Sequence, residues 1–308
     1  MGVCVLGSIN LDTVHRVARL PRAGETVMSL ETARFLGGKG ANQAVASTRA
    51  GASTRLLGAV GADPGGQDIV VRLDLEGIDV SRVATKADAE TGSAHICVSA
   101  EGENQIVVSS GANGALTIDD VAAEDLAGCA VLLAQLETPV EVLSALLPVA
   151  AEAGIVRILN AAPALPEARA LFGQIDILVV NETELAAYAA PDLIPSTAEA
   201  CIKAARRLIL SGPPTVIVTR GKAGALVVTR VEVLGAPGVK AEVVDATGAG
   251  DCFCGVLAAS LAQGAPLPQS VGRANLAASL SVRRAGASDS MPNAAELDAA
   301  MLANIQAG

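Results

Sequence analysis

Short apolar, β-branched runs alternate along this chain with longer segments rich in Ala and Leu. The runs are Val3-Cys4-Val5-Leu6-Gly7, then Arg55–Val60, Val131–Ala134, Val156–Leu159, Ile177–Val180 and Val216–Val218. They are apolar nearly throughout rather than at every second position, as expected of strands covered on both faces. Residues 41–50, 140–153, 183–189, 198–210, 250–262 and 268–283 read as the helices between and after them. That alternation predicts an α/β fold with a mostly parallel central sheet covered by helices. Two stretches, 13–35 and 89–109, break the rhythm with alternating runs such as Thr91-Gly-Ser-Ala-His-Ile-Cys-Val98. They predict a small sheet exposed on one face, a lid over the main layer. The expected division is therefore a core of 1–12, 36–88 and 110–308 and a lid of 13–35 and 89–109. No repeat, low-complexity run or Pro-rich linker marks a further domain.

Composition narrows the function classes. Apolar residues make up 51% and charged residues 18% of the 308, which excludes a disordered chain. Lys plus Arg number 22 against 32 Asp plus Glu, and a net charge of −10 argues against nucleic acid as a partner. Phe35, Phe172, Phe253 and Tyr188 are the full set of aromatics, too few for a base-stacking surface. The cysteines (Cys4, Cys97, Cys129, Cys201, Cys252, Cys254) form no C-x-x-C pair, and His15 and His95 stand far apart. Packing residues in a reducing cytosol are expected, not a zinc site or a disulfide framework. No basic region precedes the apolar N-terminus, and no run reaches the roughly 18 apolar residues of a membrane span. A soluble cytoplasmic protein is expected.

Two segments carry the chemistry. In Val243-Val-Asp245-Ala-Thr247-Gly-Ala-Gly-Asp251-Cys-Phe253 a strand is expected to end at Val244, and three small residues then open a helix. Without bulky side chains, backbone N–H groups at that helix start approach an anion closely. Asp251, in the first turn, is placed to accept a proton from an attacking hydroxyl while the amides stabilise charge on a transferred phosphoryl group. Complementing the helix dipole is the plainer role of such an Asp, but Asp245 and Thr247 upstream favour function. The second segment is Leu36-Gly37-Gly38-Lys39-Gly40-Ala41-Asn42-Gln43, in which glycines again open a helix. Lys39 and Asn42 offer donors to hydroxyls, and Asn10 and Asp12 lie at strand-end spacing upstream. Ligands in open α/β sheets bind beyond the carboxyl ends of the strands, which suits both segments as a sugar pocket. Neither G-x-x-x-x-G-K-[ST] nor G-x-G-x-x-G occurs, since Phe253 stands at the third glycine of the latter.

Gly37-Gly-Lys-Gly-Ala-Asn-Gln43 and Asp245-Ala-Thr-Gly-Ala-Gly-Asp251 together resemble the two signatures of the ribokinase (PfkB-type) sugar-kinase family. Gly24-Glu-Thr26, Gly102-Glu-Asn104, Ser110-Gly-Ala-Asn113, Asn181-Glu-Thr-Glu184 and Thr219-Arg-Gly-Lys-Ala-Gly224 extend the match, in order, over essentially the full chain. The resemblance implies a three-layer α/β/α fold with a small β-sheet lid, and ATP-dependent phosphorylation of a sugar's primary hydroxyl. It makes Asp251 the base and Gly248, Ala249 and Gly250 the anion hole. Asn10, Asp12, Gly38, Lys39, Asn42 and Glu137 would hold the sugar, and Asn181, Thr219, Gly221, Gly224 and Asn275 the nucleotide. Asn181 and Glu184, at i, i+3 spacing, suit either water around Mg²⁺ or a helix cap with a capping-box Glu. A monovalent-cation site, with K⁺ expected, falls on Asp245, Thr247, Ser281, Arg284, Gly286 and Ser290, mostly through backbone oxygens. Asp245 as a simple turn carboxylate stays open.

Within the family the expected acceptor is a pentose, D-ribose first. Deoxyribose, fructose, a phosphohexose (Arg16, Arg19, Arg22 and Arg34 lie in the lid) and adenosine are the alternatives. A lone Phe35 near the pocket counts against a stacked nucleoside. The retained Asp251 argues against a non-catalytic sensor. An exposed small sheet leaves edges and an apolar face to cover, so a homodimer through the lid is expected.

Overall fold

The computed structural model describes residues 1–189, 195–210 and 212–307. Its strands are β1 (Gly2–Leu6), β2 (Asn10–Val17), β3 (Ser29–Gly37), β4 (Thr54–Gly61), β5 (Val83–Lys86), β6 (Gly92–Val98), β7 (Asn104–Ser109), β8 (Cys129–Ala134), β9 (Val156–Asn160), β10 (Ile177–Asn181), β11 (Thr215–Thr219), β12 (Ala225–Thr229) and β13 (Val233–Ala236). Its helices are α1 (Lys39–Arg49), α2 (Pro64–Leu75), α3 (Val140–Glu152), α4 (Glu182–Ala189), α5 (Ala198–Leu210), α6 (Ala249–Ala262), α7 (Leu267–Ser281) and α8 (Ala294–Ala307).

Nine strands form the main sheet in the order β13-β12-β11-β10-β9-β8-β1-β4-β5. From β5 to β11 every pairing is parallel, and β12 and β13 extend the sheet antiparallel. The two-residue period of a strand divides the core into layers. Val3 and Val5 of β1 face a cluster with Ala41, Ile69, Val256, Val271 and Leu297, from α1, α2, α6, α7 and α8. Cys4 and Leu6, one residue out of phase, face Leu143, Leu185 and Leu208, from α3, α4 and α5. The result is the expected three-layer α/β/α arrangement. No helix among the described residues is long and apolar enough to cross a membrane.

The second sheet has the order β3-β2-β6-β7. It begins at Asn10 and ends its first hairpin at Gly37, beyond the 13–35 read from the sequence. Asn10 pairs with both Gly37 and Gly92, so the small sheet, not the core, carries Asn10 and Asp12. The expected strand ending at Val244 does not form. Val243 and Val244 are 64% and 63% exposed, and the Val244 and Asp245 N–H groups instead donate to Val282 O at the end of α7. Helices α2 and α8 and the β12–β13 hairpin add to the elements read from the sequence.

The close approach of two helices, α1 and α6, brings the signature segments together. A Cβ on Gly255 of α6 would lie 2.4 Å from Gln43 O and 2.6 Å from Ala46 Cβ of α1, so the two helices touch backbone to backbone. That approach lets Asn42 and Gln43 reach the first turn of α6. Gly255→Val should therefore force the helices apart and destabilise the fold by about 2 kcal/mol or more, read as a lower denaturation midpoint in urea.

Candidate active site

The carboxyl ends of β1, β8, β9, β10 and β11 point to one side of the sheet, and the residues that follow them converge there. Gly7, Ser8 and Asn10 follow β1, Gln135 and Glu137 follow β8, and Asn160, Asn181 and Thr219 end the next three strands. A cleft of about 150 Å³ lies among Lys39, Asn160, Asn181, Glu184, Thr219 and Asp251, with Gly248, Gly250 and Cys254 on its floor. Asp251 is buried in the first turn of α6. Gly248 caps that helix in the left-handed conformation at φ 73°, which a glycine adopts without strain. The Ala249 N–H turns back toward Ala246 O at 3.3 Å. The N–H groups of Gly250 and Asp251 have no backbone partner and point out of the helix start, as the first amides of any α-helix do. A Cβ at Gly250 would meet nothing within 4 Å, so this glycine keeps the approach to those amides open.

Two side-chain amides hold the carboxylate. Asn42 Nδ2 donates to Asp251 Oδ2 at 3.1 Å and Gln43 Nε2 to Oδ1 at 2.9 Å. Burial pushes the Asp251 pKa up, while the Lys39 charge and these two amides oppose it. Burial alone would lower Lys39, but Asp251, Glu137 and Glu184 outweigh it and hold the ammonium above its ordinary pKa. The floor is thus a compensated set, a cation among three acids.

Beside it, polar side chains of the small sheet and α1 gather around Asn10, Asp12 and Glu137. Asn10 is positioned by Asn113, whose Nδ2 donates to Asn10 Oδ1 at 2.7 Å while its Oδ1 accepts from Ile9 N–H at 2.8 Å. Glu137 accepts from Ser8 Oγ at 2.5 Å and from the Lys39 N–H at 3.2 Å. Glycines on the neighbouring strands make room: a Cβ on Gly92 would lie 2.4 Å from Asn10 Oδ1, and one on Gly37 2.1 Å from Asp12 Oδ2. Asp12 Oδ1 and Asn42 Oδ1 are buried acceptors with no partner. Burial, aided by the Glu137 charge, lifts the Asp12 pKa from 3.8 to about 6.

The remaining sequence-derived residues divide. Asn181 and Glu184 close a reciprocal cap, Asn181 N–H to Glu184 Oε2 and Glu184 N–H to Asn181 Oδ1, each 2.8 Å. Glu184 still lines the cleft, so the capping-box role and a place at the cleft coexist. Gly221 and Gly224 sit at φ 49° and 87° in the turn after β11. Asn275 does not reach the cleft floor; its Nδ2 donates to Pro237 O at 2.7 Å in a separate groove between residues 235–239 and α7. Asp245 Oδ1 accepts from the Thr247 N–H and hydroxyl at 2.9 and 2.7 Å, and Oδ2 from Gly286 N–H at 2.9 Å. Burial alone would raise Asp245, but those donors hold its pKa below the ordinary range. Arg284 turns away to pair with Glu296, and the Ser281 and Ser290 hydroxyls bond to Ala278 O and Ala287 O. The backbone oxygen of Ser281 already accepts from the Arg284 N–H at 3.1 Å, so a ligand there would share it. Cys252 and Cys254 are buried, with burial pushing Cys252 up to about 12 and Cys254 well above its usual range, so neither is a reactive thiolate.

Sequence reasoning left Gln43, Gln135, Asn113 and Asn160 without roles. Asn113 and Gln43 stood inside quoted motifs, and Asn160 and Gln135 follow predicted strands, so strand-end position was the available signal.

A buried carboxylate facing open helix-start amides and a lysine, next to a pocket of unpartnered acceptors, is the arrangement of a phosphotransferase with an alcohol acceptor. The model of the pfkB family carbohydrate kinases matches residues 2–294. The ribokinase of Staphylococcus aureus (strain COL) is 36% identical over 94% of this chain and 96% of its own. The deoxyribokinase of Salmonella typhi is 33% identical over 95% of this chain and 96% of its own. The structure of Arabidopsis thaliana ribokinase complexed with ribose and ATP superposes with a TM-score of 0.88 at 29% identity, covering 97% of both chains. The chain belongs to the pfkB family and is an ATP-dependent sugar kinase.

The unpartnered Asp12 has a measurable consequence in the sugar-free protein. An Asp whose folded pKa lies above its unfolded value weakens the fold where it is ionised, and the penalty fades as pH falls through the folded pKa. Asp12→Asn should raise stability by about 1–2 kcal/mol at pH 8, with the gain falling away below about pH 6 and disappearing near pH 4. Paired melting curves at the two pH values check this.

Proposed function

We propose that this kinase phosphorylates the primary hydroxyl of D-ribose, giving ribose 5-phosphate. The observation that carries the reading is Asp251, buried beside Lys39 and beneath the free amides of Gly250 and its own residue. Asp251 takes the proton of the sugar hydroxyl as its oxygen attacks the γ-phosphorus. The new O–P bond forms as the β–γ bridge breaks, and ADP leaves. The free amides of Gly250 and Asp251 would receive the charge of the transferred group, fixed in place before the reaction starts, while the Ala249 N–H is turned to Ala246 O. Asn10, Asp12, Gly38, Lys39, Asn42 and Glu137 hold the sugar. Unpartnered acceptors at Asp12 and Asn42 match hydroxyl donors, and a buried acceptor left unpaired is costly enough to favour a polyol over an apolar ligand. Deoxyribose is the second reading, since a deoxyribokinase stands among the relatives.

Asn181, Thr219, Gly221 and Gly224 would take the nucleotide phosphates and ribose, with Asn275 toward the base end. Asn181 and Glu184 on the cleft would orient water around Mg²⁺; the ion would neutralise phosphate charge. Asp245 ties the turn at 245–247 to the loop at 286, leaving backbone oxygens around an anionic centre, a fit for K⁺. The six cysteines are free thiols, which suits a reducing cytoplasm.

Asp251→Asn should lower kcat by at least about 10²-fold with ATP affinity little changed, as loss of a base requires. A coupled assay across D-ribose, deoxyribose, fructose and adenosine, in K⁺ and in tetramethylammonium, names the acceptor and tests the cation. Near-normal turnover of the variant removes Asp251 from its role.

The lid should pair two copies. β3 and β7 are the edges of the small sheet, and Ile106, Val107 and Val108 on β7 are 53%, 70% and 62% exposed, as are Met28 just before β3 and Leu30 on it at 81% and 73%. Such edges invite strand pairing or burial. Light scattering at micromolar concentration should give a dimer, and Val107→Lys a monomer.

A further inference from the structure

Gln43 is wholly buried on α1, and its amide lies between two partners. Its Nε2 donates to Asp251 Oδ1 at 2.9 Å, and its Oε1 accepts from Gln135 Nε2 at 2.6 Å. Gln135, 1% exposed, follows β8, and a Cβ on residue 7 would lie 1.9 Å from its Oε1. Only glycine at 7 leaves Gln135 that place. Neither glutamine lines the cleft, so neither touches the proposed substrates.

An amide has a donor end and an acceptor end, and an ionised carboxylate only accepts, so Asp251 takes the Gln43 NH₂ and leaves the Gln43 oxygen to face β8. Gln135 meets that oxygen with its own NH₂, while its Oε1 is buried without a partner. The bond from Gln135 therefore holds the Gln43 amide in place from behind.

We propose that Gln43, backed by the donor of Gln135, is a positioning residue for phosphoryl transfer that aims the Asp251 carboxylate into the cleft. The inference rests on Asp251 being the base. A bond to a carboxylate is among the stronger hydrogen bonds, and it favours the ionised form that accepts the sugar's proton. The other charged or titratable groups facing Asp251 are Lys39 from the start of α1, Glu137 after β8, Glu184 on α4 and the Cys252 and Cys254 thiols on α6. Gln43→Leu leaves all of them in place.

The test is the pH profile of kcat for wild type, Gln43→Leu, Gln135→Met and Asp251→Asn, with the sugar KM measured alongside. Loss of the Gln43 donor should move the acid limb of kcat up by about one pH unit and lower kcat roughly 10-fold or more at neutral pH. Activity should recover partly at high pH, and the sugar KM should stay within about 3-fold. Gln135→Met, which keeps Gln43 but removes the donor that holds it from behind, should shift the limb the same way by less, and it carries the test if Gln43→Leu does not fold. A fall in kcat that is equal at every pH, or an unmoved acid limb with Asp251→Asn inactive, overturns the positioning role alone. Retained turnover in Asp251→Asn overturns the base itself.

Discussion

The structure turns on one buried carboxylate, Asp251, and the donors that keep it tolerable. An ionised acid taken from water costs several kcal/mol unless it is paired and hydrogen-bonded. Here Asn42 and Gln43 supply the hydrogen bonds and Lys39 the opposite charge. All three come from the first turns of α1, and they reach Asp251 only because α1 meets α6 across Gly255. Packing between two helices and the ionisation of one side chain are therefore a single constraint. Loosening the helix contact would weaken the hydrogen bonds, and loss of those bonds would leave an uncompensated charge at the centre of the core.

Glycines extend the same logic outward. Gly37 and Gly92 flank β2 and leave space for Asp12 and Asn10. Gly40 packs so that its Cβ would strike Gly7 C at 2.4 Å, which seats α1 against the end of β1. These residues contribute no chemistry of their own. Their missing side chains bring polar groups from β1, β2, α1 and α6 within reach of one another, and the sequence shows them as the clustered glycines of the signature segments.

How far the sequence revealed this depended on whether the signal was local. The buried parallel strands were legible because both faces are covered and their runs are apolar, as in Val3–Leu6 and Ile177–Val180. The β12–β13 hairpin was not, because Val233–Ala236 is short and only half-buried and its connecting turn, Arg230-Val-Glu232, holds no Gly, Pro, Asn or Asp. Val243-Val244 resembled a strand for the opposite reason: β-branched residues suggest a strand, yet these two are exposed, and the Val244 N–H is tied to the end of α7 instead. At the site, motif residues such as Asp251, Lys39 and Asn42 could be singled out by type and spacing. The Gln43–Gln135 pair could not, since its members lie 92 positions apart and only the fold brings them together. The position of Asn275 shows the reverse, a residue picked by resemblance whose side chain here is engaged with Pro237 O.

Two carboxylates of the site are treated in opposite ways, and the difference reflects what each is asked to do. Asp251 has donors on both oxygens and a cation nearby, so it stays an acceptor ready for one proton at a fixed place. Asp12 keeps a buried oxygen without a partner and faces the Glu137 charge, which lifts its pKa toward neutrality. An arrangement of that second kind is unfavourable in the empty protein and is relieved when hydroxyl donors enter. On the function proposed above, such a site would bind a polyol through acceptors that nothing else satisfies, while its base is already hydrogen-bonded before the sugar arrives. Affinity and reactivity would then fall to different carboxylates.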